Sequence, residues 1–580
     1  MGLPTQQISP GRFVAAHRDA VNRLQANAAM QKMWSKDASL WQADAQHARV
    51  IANRLGWIGV LDTMQKDADN LSQFAQSVAG AGLRDIVLLG MGGSSLAPEV
   101  FALTFPATAK GRRFFVLDST DPGSIRAVET SVDLRHTLFV VASKSGKTIE
   151  TLSQFLYFHD RMRASDIQPP GKNFVAITDP GSYLAQLASE HGFLRTFLNP
   201  PDIGGRYSAL SYFGLVPAAL WGAKLEDVLG SALDMRKACG ASAAADSNPA
   251  LQLGALLGTA AADATDKLIL LSTPSLVPLG NWIEQLIAES TGKQGKGIVP
   301  VAGGVPVTPE VFAQGCVVAV LAQQGENTTA LDAAASSLQD RGVPIVQIRL
   351  ADPSQLGAEF FKWEAATAVA GAVLAIDPFD EPNVQESKDR TAKILEEFQV
   401  KGRMPVSAVR LSESGIELYA EGATHRNIST LKLTESLRAF FEQRKPRDYV
   451  SLLAYVERND SNAAPLGAIR EALSRALGLP VLLGYGPRYL HSIGQLYKGG
   501  PPTGMFLVIT ATHAEDVPIP GAKYTFGQLQ FTQALGDFES LAGREKPVLR
   551  LHLSEGAAAG LPKLQNAMKQ ALSSIRAAGQ

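Results

Sequence analysis

Two hydroxyl- and glycine-rich turns, one arginine, one glutamate, one lysine and one histidine are the residues of this chain whose types and settings could do chemistry. The richest stretch is Val140-Val141-Ala142-Ser143-Lys144-Ser145-Gly146-Lys147-Thr148-Ile149-Glu150-Thr151. Leu138 to Val141 read as the end of a buried parallel strand, while Ile149, Leu152, Phe155 and Leu156 recur at helical spacing. The hydroxyls therefore fall in a strand-to-helix turn, where free N–H groups and the helix dipole favour an anion. Ser143, Ser145 and Thr148 offer O–H donors, and Lys144 and Lys147 offer charge. The G-x-x-x-x-G-K-[ST] spacing of a nucleotide loop is absent, so one phosphate on a small molecule fits better. The other reading is a helix capped by Ser143 or Ser145 with its lysines in solvent, and this stretch alone does not choose between them.

The remaining chemistry is spread along the chain. Gly90-Met91-Gly92-Gly93-Ser94-Ser95 follows the apolar run Ile86 to Leu89. Its glycines either let backbone approach a ligand or make a tight turn, and the third glycine of a dinucleotide loop is missing. In Gly204-Gly205-Arg206-Tyr207-Ser208 an arginine beside bare backbone could hold an oxyanion or a phosphate, or could be an ordinary loop arginine. Glu284 and Glu289 are both carboxylates on one helical stretch. Glu289 is the better base, because helix gives way to loop at Gly292. Lys388 follows the proline-punctuated turn 377–383. His491, one of nine histidines, sits among glycines and hydroxyls after a buried strand, a good setting for an acid/base or for a helix cap. No H-x-x-x-H or C-x-x-C pairing argues for a metal.

The elements that must carry these residues follow from periodicity. Residues 11 to about 85 predict helices, with Trp34, Trp41 and Trp57 as packing anchors. Across 86–195, four apolar strands alternate with helices, which predicts a doubly wound parallel sheet with ligands at the strand C-termini. A second α/β run begins near 250. It includes strands at 268–271, 317–321 and 344–348 and a buried helix from Phe360 to Ile376. Residues 401 to about 475 read differently, as edge strand, amphipathic helix and strand. With 580 residues, 54 basic and 55 acidic, and 19% charged, nothing points to a nucleic acid or a membrane surface. No apolar run reaches the roughly 20 residues of a membrane span, and Met1 to Ala28 lacks a signal pattern. Cys239 and Cys316 are expected as buried thiols of a cytoplasmic protein.

Taken together, these stretches resemble the phosphoglucose isomerase (glucose-6-phosphate isomerase) family of the sugar isomerase (SIS) fold. Gly90 to Ser94 resembles its G-x-G-G-S loop, Ser143 to Thr151 its S-K-[ST]-x-x-T-x-E-T signature, and Gly204 to Ser208 its G-G-R-[FY]-S. Glu289-Ser290-Thr291-Gly292-Lys293 resembles its E-S-x-G-K, and Pro378 to Lys388 its P-F-D-Q-P…K element. Two departures stand out. Glu381 replaces the family's glutamine, and the H-x-x-x-Q-L segment, His491 to Leu496, follows Lys388 instead of preceding it. In that order the C-terminal half is similar to the isomerase part of transaldolase–isomerase fusions. The resemblance implies an α/β protein of two doubly wound parallel-sheet domains (αβα sandwiches) after a helical N-terminal region. The arm is 1–60, the first SIS domain 61–225, and the second 226–580, with 401–475 added or rearranged.

It further implies aldose–ketose isomerisation of glucose 6-phosphate and fructose 6-phosphate through a cis-enediol. Glu289 would be the base, Arg206 the oxyanion partner, and His491 and Lys388 the ring-opening groups. Gly93, Ser94, Ser143, Lys144, Ser145, Thr148, Glu150, Gly205 and Gln495 would hold the sugar phosphate. The chemistry requires no metal or organic cofactor, and a homodimer is compatible with it. His491 is expected at the same site as Glu289, Arg206 and Lys388, with His425 and His513 poor substitutes. The alternatives are a dual phosphoglucose/phosphomannose isomerase, a non-catalytic sugar-phosphate regulator, and, more distantly, a dinucleotide oxidoreductase.

Overall fold

The computed structural model describes residues 2–41, 44–105, 112–304, 311, 315–402, 408–422, 424, 432–573 and 575. The chain divides into two compact units, the first drawn from 1–118, 128–307 and 314–381, the second from 119–127, 308–313 and 382–580.

Among the described residues, the first unit holds two five-stranded sheets. The first has the order Arg113–Leu117, Asp85–Gly90, Thr137–Ala142, Phe174–Thr178, Arg195–Leu198, all parallel. Its central strands, Asp85–Gly90 and Thr137–Ala142, are buried throughout, as an apolar run covered on both faces must be. Each fully buried Val, Leu, Ile or Phe there stabilises the fold by about 1.5–3 kcal/mol. The strand order reverses between these two, and Gly90 pairs with Ala142. The loops after them therefore start side by side at the switch point, where an α/β sheet binds its ligand.

The second sheet has the order Thr5–Ser9, Ile345–Leu350, Cys316–Gln323, Lys267–Ser272, Val299–Val301. All pairings are parallel except that of Thr5–Ser9, which closes one edge antiparallel to Ile345–Leu350. Helix Leu356–Leu374 is buried on nearly every side, as its largely apolar sequence demands, and it carries Glu359, Lys362 and Glu364 into the interior with it. It packs on helices Leu225–Ala238, Pro249–Ala262 and Val277–Thr291.

The second unit is built on a six-stranded sheet in the order Leu411–Glu413, Ile416–Ala420, Val548–Leu553, Gly504–Ala511, Tyr449–Tyr455, Val481–Tyr485. The last four run parallel to one another, while the first two form a hairpin joined at Ser414 and Gly415, both at positive φ. The α/β class, with mostly parallel sheets flanked by helices, is as expected. Among the described residues the sheets number three where the sequence predicts two, and the part from 382 onward builds the third instead of extending the second. Thr5–Ser9 adds a strand ahead of the N-terminal helices. Among the described residues, no helix is long and apolar enough to cross a membrane. Cys239 and Cys316 are buried free thiols, and burial pushes both up to about 12.

Candidate active site

Gly92 to Ser94 form a short 3-10 turn after strand Asp85–Gly90, and Gly205 to Tyr207 form another. The two turns touch. A Cβ on Gly93 would lie 2.0 Å from the Gly205 carbonyl oxygen and 3.1 Å from the Arg206 nitrogen. Glycine at 93 is thus required by close approach of backbone. The Ser94 side chain is half-buried beside this contact.

In the loop after Thr137–Ala142, the Ser143 and Thr148 hydroxyls lie 3.0 Å apart, and the Gly146 N–H donates to Ser143 Oγ at 3.1 Å. Thr148 sits at the N-cap of helix Ile149–Ala164 but makes no side-chain cap. The helix thus starts with its first N–H groups uncapped by a side chain, which favours an anion there. Ser145 and Lys147 are exposed, Gly146 and Glu150 buried. Lys144 does not point its charge into open solvent. Its Nζ pairs with Asp179 Oδ2 at 2.5 Å and donates to the Pro201 carbonyl at 2.9 Å. Lys144 therefore ties two loops together.

Arg206 is 3% exposed and almost fully engaged. Its Nε donates to Ser290 Oγ at 2.8 Å, and its Nη2 to the carbonyls of Pro378 and Asp380, both at 2.9 Å. Its Nη1 donates to Glu381 Oε2 at 3.0 Å and lies 3.8 Å from Glu289 Oε2. Burial works against this charge, but Glu289 and Glu381 outweigh it and raise the guanidinium above its ordinary value. Glu289 is on the last turns of helix Val277–Thr291, where Gln285 Nε2 donates to its Oε2 at 3.1 Å. Lys293, 2% exposed, donates to the Asp380 carbonyl at 2.6 Å and pairs with the Asp380 carboxylate. Burial, then Arg206, lowers the Lys293 ammonium. Partial desolvation raises the Glu381 carboxyl, and Arg206 more than reverses this, leaving it below its usual range. Tyr207 stacks on Trp57 at 5.4 Å. Behind it, burial pushes up the carboxyls of Glu364 and Asp377.

The structure thus brings Arg206, Glu289 and the 378–381 turn together in the first unit, with Gly93 and Gly205 in contact. His491, Gln495 and Lys388 belong to the second unit. His491 ends a short turn, Arg488–His491, after strand Val481–Tyr485. Gln495 is fully buried and exchanges two hydrogen bonds of 2.8 Å with Asn383. Lys388 is exposed on helix Val384–Lys401. His513 lies 3.8 Å from Asp121, and His425 falls outside the described residues.

The sequence reading left Ser290, Lys293 and Arg54 out of the site. Lys293 could have been found as the lysine of the Glu289-Ser290-Thr291-Gly292-Lys293 stretch. Arg54, which adds to the lowering of Glu381 and only opposes the rise that burial imposes on Asp179, carries no local signal at all. Among the described residues, no group of three or more His, Cys, Asp or Glu could hold a metal.

A family model of phosphoglucose isomerase matches residues 56–300. A probable glucose-6-phosphate isomerase of Natronomonas pharaonis is 29% identical over 391 residues, 61% of this chain and 88% of its own length. The glucose-6-phosphate isomerase of Thermus thermophilus is 33% identical over 241 residues, 41% of this chain and 56% of its own. The crystal structure of a glucose-6-phosphate isomerase from Chlamydia trachomatis superposes with a TM-score of 0.55 at 19% identity. It covers 69% of this chain and 89% of that one. This last likeness speaks for the fold. The matched residues carry the Gly93–Gly205 contact, Ser143 to Thr151, Arg206, Glu289 and Lys293, so it is the stretch holding these groups that is similar to the phosphoglucose isomerase family.

Proposed function

We propose that the chain interconverts glucose 6-phosphate and fructose 6-phosphate, and that it does so in the cytoplasm, where two buried free thiols stay reduced. The observation that carries the reading is the pairing of Glu289 with Arg206, 3.8 Å apart at the edge of a buried arginine. An aldose–ketose shift moves one proton between C1 and C2 through a cis-enediol. Glu289 takes that proton from one carbon and returns it to the other. The oxygen gaining negative charge is met by Arg206, whose geometry is fixed before substrate arrives by Ser290, Pro378 and Asp380. Ser94, Ser143, Ser145, Thr148 and the uncapped start of helix Ile149–Ala164 hold the phosphate and fix the carbon chain. The sugar enters as a ring, and His491 and Lys388 supply the acid/base pair that opens it. Gln495 holds the segment before Lys388 to the turn after His491 through Asn383. The resemblance carries a homodimer with it.

Forward and reverse coupled assays test the reading. Turnover of fructose 6-phosphate to glucose 6-phosphate is expected. Full binding of either sugar phosphate without turnover would leave a regulator in place of an enzyme. Mannose 6-phosphate, run alongside, separates a single-substrate isomerase from a dual one.

A further inference from the structure

Residues outside the isomerase motifs form a polar cavity within the first unit. It measures about 350 Å³ and lies between the edge strand Thr5–Ser9, helix Leu225–Ala238 and the start of helix Pro249–Ala262. None of its lining residues belongs to the site described above. We propose that it is a binding site for a compact hydroxy-carboxylic acid.

Three donor features converge on it. Asn248 is fully buried, and its Oδ1 accepts the Leu251 N–H at 3.0 Å as the helix cap, while its Nδ2 has no partner among the described residues. Lys362, also fully buried, lines the cavity and gives one of its three N–H groups to Glu359 Oε1 at 2.6 Å. Helix Pro249–Ala262, 14 residues long, turns its positive end to the same place. An ammonium and an amide donor in a desolvated setting call for acceptor oxygens, and a carboxylate supplies two. Glu359 already shares the Lys362 charge, so the ligand is weakly charged and not a polyphosphate. The Asp246 carboxylate, exposed at the mouth, acts in the same direction.

The other lining groups specify the rest of the ligand. Gln6 Nε2 donates to the Pro249 carbonyl at 3.0 Å, leaving Gln6 Oε1 buried and unpartnered among the described residues. A hydroxyl on the ligand meets that acceptor. Leu3, Ile8 and Met235 offer apolar wall to a short carbon skeleton. Inorganic phosphate lacks the skeleton, and a polyol lacks the carboxylate.

Isothermal titration of the full chain with lactate and with glycolate tests the site, with propionate, phosphate and glycerol as comparisons. At least one hydroxy acid is expected to bind at millimolar strength or tighter, with phosphate and glycerol at least about tenfold weaker. Asn248→Asp retains the helix cap, because aspartate caps as well as asparagine. It also replaces the free donor by a carboxylate, and is expected to weaken binding at least about tenfold. Gln6→Leu leaves the anion-binding donors alone and is expected to erase the preference for lactate over propionate. No heat from either hydroxy acid up to about 10 mM overturns the proposal. So does phosphate or glycerol binding equally well, or a folded Asn248→Asp chain that binds as before.

Discussion

Gly93→Ala adds one methyl group and should remove most of the activity. The added Cβ would sit 2.0 Å from the Gly205 oxygen and 2.4 Å from the Gly205 carbon. An ordinary carbon contact needs about 3.4 Å or more, so the two turns must part by roughly 1.4 Å. Neither turn yields easily. Arg206 is anchored by hydrogen bonds to Ser290, Pro378, Asp380 and Glu381, and Gly93 follows a fully buried strand. Overpacking of this kind costs about 1–3 kcal/mol of stability. A misplacement of about 1 Å at a catalytic group costs roughly 10²-fold in rate. The coupled assay should therefore show kcat/KM down about 10²-fold while the protein still unfolds cooperatively in urea. Gly204→Ala is the control. Its φ is −67°, and its nearest contacts, Arg54 and Tyr207, are 3.9 Å from the added carbon, so it should behave as wild type. Equal activities for the two variants would refute the claim that contact at 93 sets the position of Arg206.

Four further outcomes are expected. Glu289→Gln keeps shape but removes the base, and kcat should fall at least ~10²-fold with KM little changed in steady-state assays. Removing two proposed phosphate donors in Ser145→Ala with Thr148→Ala should raise KM at least about tenfold, one hydrogen bond to charge being worth about 1.5–3 kcal/mol. An unchanged inhibitor affinity by calorimetry would reduce the loop to a helix start. His491→Ala should impair turnover of cyclic substrate severely, while C1/C2 proton exchange on open-chain material, followed by NMR, survives better. Glu364, raised well above the ordinary carboxyl value by burial, keeps its proton in the fold after the unfolded chain has lost it. Stability therefore falls as pH rises above the unfolded value near 4.5. Glu364→Gln should be more stable than wild type in urea at pH 8 and lose that advantage in acid.

How much of this was legible depended on whether the signal was local. Strands such as Ile86 to Leu89 and Val140-Val141 announce themselves because both faces are buried and every residue must be apolar. Thr5–Ser9 did not, since T-Q-Q-I-S is an edge strand with burial on parts of one face only. Val299–Val301, though buried, is three residues long and broken by a proline, and Arg195–Leu198 is short and half exposed, so neither shows an apolar run. In the site, spacing singled out Arg206 and Glu289. It could not show that the guanidinium is held by carbonyls more than 170 residues away, because backbone acceptors have no sequence identity. Nor could it show Lys144 spoken for by Asp179, a pairing made only when the two loops fold side by side. The boundary near 382 was invisible because a third α/β pattern looks like a continuation of the second.

The antiparallel closure of the second sheet by Thr5–Ser9 also governs how the molecule behaves toward its own kind. Ile345–Leu350 is a largely buried strand whose outward row of N–H and C=O groups is satisfied by the five residues Thr5–Ser9. An exoprotease or an over-trimmed expression boundary that removes them would uncover a flat template that accepts strands from other molecules. The expected product is not an unfolded chain but a folded one that self-associates with concentration. Purified material that has lost its first ten residues should therefore elute in size exclusion as a broad, growing front.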